Sequence, residues 1–218
     1  MALTKITATN IGYTPANKAG DVLTGALTVP NLGVGSVADS NTTNRTITYQ
    51  NAGKNWYVGL RGDTSNAWSI ADDSAHRMMV DANGRITMPY QPSWCVEYYG
   101  MTVSASTTYN YTGGTVFINN GSYYSTSTGR FTAPVAGYYL VSASIEQSTS
   151  SGTTGSVVVN KNGASQFQAL AYSAIYNSGS LTGIIYCAVN DYLTLTSYGN
   201  NGLSYNVYTT RFTGHLIG

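Results

Sequence analysis

The chain has 218 residues, enough for one or two domains with buried cores. Charged residues make up only 9% of it, against roughly 25% in a typical globular domain, and the formal net charge is +1. With no Lys/Arg cluster and no apolar run near the roughly 18 residues of a membrane span, these features argue against nucleic acid, acidic lipid surfaces and membrane insertion.

Residues 1–30 are polar with little periodicity, and Met1 to Asn10 lacks the apolar stretch of a signal peptide, so none is expected. Pro15 to Asp21 reads as a turn, followed by Leu23, Leu27 and Val29 before Pro30. Residues 31–90 carry most of the charge and read as short strands: Trp56–Leu60, Trp68–Ile70, Met78–Val80 and Ile86–Met88. Turns separate them at Arg61-Gly62-Asp63, Ala71-Asp72-Asp73 and Asp81-Ala82-Asn83-Gly84. The last is a hairpin signal, because Asn-Gly accepts the positive φ of a tight turn. Pro89 and Pro92 mark a boundary near residue 91. Residues 91–218 hold six charged side chains but fifteen of the nineteen tyrosines. Between Gly137 and Ile145 the residues alternate: Tyr139, Val141, Ala143 and Ile145 form one apolar face, while Tyr138, Leu140, Ser142 and Ser144 form a mixed one. The mixed face fits a subunit interface or a second sheet edge. Helix periodicity is almost absent and strand signals recur about every ten residues, which predicts an all-β sandwich or barrel.

Candidate chemistry is sparse. Cys95 and Cys187 form no CxxC pair and are expected as reduced thiols, Cys187 buried in an apolar run. His76 and His215 are isolated, and neither lies in a metal-spaced set, so no metal site is expected. Asp72-Asp73 needs no ion if it is a turn between strands. Glu97 and Glu146 would serve as a glycosidase pair only if the fold brought them together in a cleft. Arg61-Gly62-Asp63 is most simply a turn. No catalytic residue and no cofactor are expected. The glycines lack the period-three repeat of a collagen stalk.

The run Thr115 to Gly121, then Gly129-Arg130-Phe131-Thr132-Ala133-Pro134-Val135-Ala136-Gly137-Tyr138-Tyr139, resembles the complement-component (C1q) globular head, a tumour necrosis factor-like jelly roll. Val157 to Gly163, Asn190 to Leu195 and Arg211 to Ile217 follow in that family's order, so the resemblance covers about 125 residues. Where the family usually has Gly-Asp, this chain has Asn190-Asp191; Asn tolerates the same turn conformation. The resemblance implies a C-terminal jelly-roll sandwich and a homotrimer. Asn17 to Val29 is similar to a segment common in bacteriophage tail fibres, and Trp56 to Met88 is similar to their β shaft modules. Together they imply an N-terminal virion-attachment segment (1–30), a β-rich shaft module (31–90) and a jelly-roll head (91–218). Such a fibre or spike is assembled in the host cytoplasm and resides in the virion. The N-terminal segment would contact tail, baseplate or capsid proteins, and the head a host-surface glycan or protein. The alternatives are a capsid fibre or decoration protein and, remotely, a polysaccharide depolymerase, whose usual long β-helix and acid cluster are missing.

Strand counting places the site. If residues 91 and 218 lie together at the base, antiparallel strands put three loops at the far end: Gln147 to Gly155, Tyr176 to Gly179, and Gly199 to Ser204. The receptor-binding candidates are Tyr176, Asn177, Tyr198, Asn200 and Asn201, since Tyr supplies rigid amphipathic area and Asn supplies hydrogen bonds. The trimer-interface candidates are Tyr138, Leu140 and His215.

Overall fold

The computed structural model describes residues 45–51, 53–60, 67–147, 154–171, 177–198 and 204–218. Among these residues every regular element is a strand. The attachment segment 1–30, Arg61-Gly62-Asp63 and the candidates Tyr176, Asn200 and Asn201 lie outside them.

The first five strands form one antiparallel meander: β1 (Arg45–Asn51), β2 (Lys54–Leu60), β3 (Trp68–Asp72), β4 (His76–Val80) and β5 (Ile86–Thr87). Cross-strand partners share a face, so the register gathers Ile47, Val58, Ile70 and Met78 in one row. Leu60, Trp68, Val80 and Ile86 form a second row on that face. Trp56, Trp68, Ile47 and Ile86 stay exposed there. The β3–β4 turn is closed by Asp72, whose Oδ1 accepts from the backbone N–H of Ser74 and Ala75, both at 3.0 Å. Lys54 at 2.6 Å and Arg77 at 2.5 Å neutralise the buried carboxylate, and with the Ser74 hydroxyl they hold it far below the usual carboxylate range. Asp73 accepts from Asn55 and Tyr57. Both carboxylates are therefore filled by protein donors, as a turn requires. In the β4–β5 hairpin the left-handed residue is Gly84 (φ 79°), while Asn83 does not take positive φ. The turn is the type I plus left-handed-glycine kind, capped by Asp81, which accepts from the N–H of Asn83 and Arg85.

The remaining strands make a two-layer sandwich. The inner sheet has the order β14 (Asn177–Cys187), β11 (Gly137–Gln147), β16 (Tyr205–Leu216), β6 (Ser93–Val103), β8 (Thr115–Asn120). The outer sheet runs β13 (Ala164–Ala171), β12 (Gly155–Lys161), β15 (Tyr192–Tyr198), β10 (Arg130–Thr132), β9 (Tyr124–Ser125), with β7 (Thr108–Asn110) also on β15. The alternation in β11 has its expected sense: Tyr139, Val141, Ala143 and Ile145 are buried, while Tyr138 is exposed. They meet Val157, Val159, Leu193 and Leu195 of the outer sheet in one core with Trp94, Phe131 and Phe212. Trp94 stacks on Phe131 at 3.9 Å between centroids and meets Phe212 edge-on at 5.3 Å. Cys187 is fully buried, and burial pushes its thiol up to about 11; Cys95 is also free.

Three small residues of the Gly129–Tyr139 motif have visible causes. Gly129 has φ 64°, and a Cβ there would overlap the Tyr111 carbonyl oxygen. Pro134 stands at the corner between β10 and β11. Gly137 makes room for the C-terminus: a Cβ would lie 2.6 Å from the Gly218 carbonyl oxygen, which accepts from the Tyr138 N–H. Asn190 takes φ 70°, the left-handed turn conformation that asparagine tolerates.

Candidate functional site

The registers fix the two ends of the sandwich. At the base, Gln91 Nε2 donates to the Leu216 carbonyl at 2.7 Å, and Leu216 N–H donates to the Pro92 carbonyl at 3.0 Å. At the other end Gln147 pairs with Asn177 and with Val207, and Gly155 pairs with Ala171. The roots of the loops 148–153, 172–176 and 199–203 therefore gather at the distal end. Asn177 opens β14 and is half-buried; Tyr198 closes β15 and is exposed. Ser104 to Thr107, after β6, joins them there, with Ala105 N–H donating to Ser204 Oγ at 3.1 Å. Strand counting alone passed over this fourth segment, although β6 starts at the base and so must end at the tip.

Buried polar groups hold these roots. Gln147 is fully buried, and its Oε1 accepts from Gly155 N–H at 2.8 Å. Ser156 Oγ accepts from Tyr198 N–H at 3.2 Å, and the buried Tyr205 hydroxyl donates to the Ser156 carbonyl at 3.3 Å. Each bond satisfies a group that would otherwise be costly inside the sandwich.

The outward face of the inner sheet is a different surface. Toward the base it carries Tyr138, Ile184 and Tyr186, exposed by 55, 56 and 51%. The Tyr138 and Tyr186 rings meet edge-on at 5.4 Å, and Leu140 and His215 are cross-strand neighbours beside them. Val116, Phe117 and Ile118 of β8 are exposed on the far edge of the same sheet. Higher up, the nearly buried Glu97 pairs with Arg211 at 2.8 Å and accepts from Tyr99. The Tyr99 hydrogen bond, then Arg211, keeps its carboxyl below the ordinary glutamate value. A glycosidase general acid needs the opposite shift.

At the base, Asp191 Oδ2 takes Lys161 Nζ at 2.9 Å and Ala188 N–H at 2.8 Å, while Oδ1 accepts from Asn162 Nδ2 at 2.6 Å. Lys161 foremost, with those hydrogen bonds, lowers this carboxyl from 3.8 to about 2. In the unfolded chain the same group takes up its proton first, so folding stability falls as pH drops from about 4 to about 2. Asp191→Asn is expected to lower the denaturant midpoint at pH 7, with the gap to the parent protein closing by pH 2. An unchanged gap would remove Asp191 from the acid response.

No group of three or more His, Cys, Asp or Glu side chains is placed to hold a metal among the described residues. Two packed, antiparallel sheets with this strand order define a tumour necrosis factor-like jelly roll. The C1q domain family model matches residues 100–217, more than half of the chain, and the chain belongs to that family. The globular domain of zebrafish complement 1qA protein is 16% identical, over 59% of this chain and 98% of that one, with a TM-score of 0.47. The PRD1 vertex protein P5 is also 16% identical, over 65% of this chain and 83% of that one, with a TM-score of 0.52. Murine APRIL at pH 5.0 is 13% identical over 57% of this chain and 99% of that one, with a TM-score of 0.41. No curated protein sequence matches the chain.

Proposed function

We propose that this chain is a homotrimeric virion fibre or spike whose head binds a host-surface glycan through its distal end. The observation that carries this reading is a difference between two surfaces of the head. Exposed Tyr138, Ile184 and Tyr186 gather on the inner sheet toward the base, and polar loop roots with the exposed Tyr198 gather at the tip. A patch of that kind is what a subunit interface leaves bare in a single chain. The apolar face of the β1–β5 sheet supports packing of the shaft module against its copies in the same way. Tyr138, Leu140 and His215 then line contacts between protomers, while Asn177, Tyr198 and the loops they anchor face the receptor. Residues 1–30 attach the fibre to tail, baseplate or capsid proteins. Weak binding by each head suffices, because several fibres on one particle multiply avidity. The chain has no catalytic role in this reading.

The test is retention of the full-length protein on a panel of immobilised bacterial surface polysaccharides and whole cells. Selective retention, and competition with virion adsorption, is the expected result. No retention by any surface would sink the proposal. A second reading is favoured by the likeness to the PRD1 vertex protein P5, namely a capsid fibre or decoration protein. Immunogold labelling of virions separates the two, since label at capsid vertices rather than the tail supports the second.

A further inference from the structure

Beyond the tip and the inner sheet, the outer face of the outer sheet carries a cleft of about 450 Å3. Pairing of β10 with β15 sets Arg130 opposite Thr194 and Thr132 opposite Tyr192, all pointing away from the core. The Arg130 guanidinium lies over the Tyr192 ring, 4.2 Å from its centroid. The walls are fixed by backbone. Tyr111 N–H donates to the Leu195 carbonyl at 3.2 Å, and Gly113 N–H donates to the Thr126 carbonyl at 2.8 Å. Gly129 at the rim admits no larger residue, because of the Tyr111 carbonyl. The polar lining is Asn110, Thr112, Ser127, Thr128, Arg130 and Thr194; among the described residues no carboxylate lines the cleft.

The charge arithmetic singles out one group. Apart from His215, the head has three basic side chains, Arg130, Lys161 and Arg211. Lys161 is neutralised by Asp191 and Arg211 by Glu97. Arg130 has no carboxylate partner among the described residues, and its described contact is the Tyr192 ring. A guanidinium stacked on a ring keeps its N–H edges free, and a free planar edge is what receives a carboxylate in a two-point fork. Hydroxyl and amide groups around it match the ring hydroxyls of a sugar. The volume falls in the range of small-ligand sites.

We infer that this cleft binds a carboxylated pyranose, a uronic- or sialic-type residue of an acidic surface polysaccharide, with Arg130 taking the carboxylate. The inference rests on the glycan-binding reading of the head, but it adds a site on the side of the sandwich. The outer sheet is opposite the apolar inner face, so packing of copies through the latter leaves the cleft open.

The experiment titrates the full-length protein with an oligogalacturonate, with its methyl ester, and with inorganic phosphate, read by calorimetry and ligand-observed NMR. The acid is expected to bind and the ester to bind about 10- to 100-fold more weakly, the range for hydrogen bonds to a charged group. Arg130→Gln should give the same loss for the acid and leave the ester unaffected. Arg130→Lys should recover only part, since the fork is gone. Thr194→Val, which keeps the charge and the strand, should weaken acid and ester alike. Melting curves confirm that each variant is folded. Equal binding of acid and ester, phosphate binding as tightly as the uronate, or an Arg130→Gln protein that binds the acid like the parent would overturn the inference. If the parent protein is retained on surface polysaccharide and Arg130→Gln is retained equally, the cleft fails and the distal-site reading stands. If the parent binds no polysaccharide or cell at all, that reading fails with it.

Discussion

Replacing Trp94 with alanine is expected to destabilise the head by about 3–5 kcal/mol, the usual loss for a large aromatic in a packed core. The ring is almost fully buried, stacked on Phe131 and edge-on to Phe212. Its indole N–H has no hydrogen-bond partner among the described residues, so the loss is one of packing alone. The other side of the ring rests on Gly214, where a Cβ would run into the indole carbons. That contact supplies a second, coupled expectation. Gly214→Ala should be costly in the parent protein and nearly neutral once Trp94 is alanine, because the colliding ring is gone. Denaturant unfolding at one fixed protein concentration measures all four corners of the cycle. Additive losses would show that the two residues do not share the space the fold gives them.

The second large effect concerns assembly. Ile184→Glu combined with Tyr186→Glu should convert a particle of three chain masses into one of a single mass, measured by light scattering at micromolar concentration. Both side chains are about half exposed in the lone chain and sit among Tyr138, Leu140 and His215. Packing copies over them would bury two unpaired carboxylates per protomer, which costs far more than the contact returns. A far-UV spectrum that keeps its β signature separates dissociation from unfolding. Thr196→Glu, on the outward face of the outer sheet, is the control and should leave the mass unchanged. A parent protein that already runs as a monomer would end the trimer reading.

The sandwich itself was readable because its signals are local. The two-residue alternation of β11 separates Tyr139 and Val141 from Tyr138 and Leu140 with no knowledge of their neighbours. The Gly129 to Tyr139 motif carries a left-handed turn, a corner proline and a close approach within eleven positions, each a constraint that the backbone alone imposes. Strand direction could be counted from the base, which put the 147–155, 176–179 and 199–204 connections at one end. Several strands escaped, with β1, β6 and β13 the longest of them. β1 pairs along its full length with β2, and β13 is mostly exposed, so neither carries a dense apolar run. Asn83-Gly84 was read as one left-handed unit, yet Gly84 takes the whole conformational demand because Asp81 caps the turn.

By itself, then, the order of residues determined strand content, turn positions, the inward set of side chains and the family. These follow from backbone sterics and two-residue periodicity, which act within a few positions. Only the tertiary structure decided which groups meet across the sheets. Arg130 reaches Tyr192, and Glu97 reaches Arg211, through strand pairing between segments far apart in the chain. Among the described residues it also left Arg130 as a head cation without a carboxylate and opened the cleft beside it. Register is set by how two whole sheets bury their apolar faces against each other, a condition that no short stretch of sequence contains.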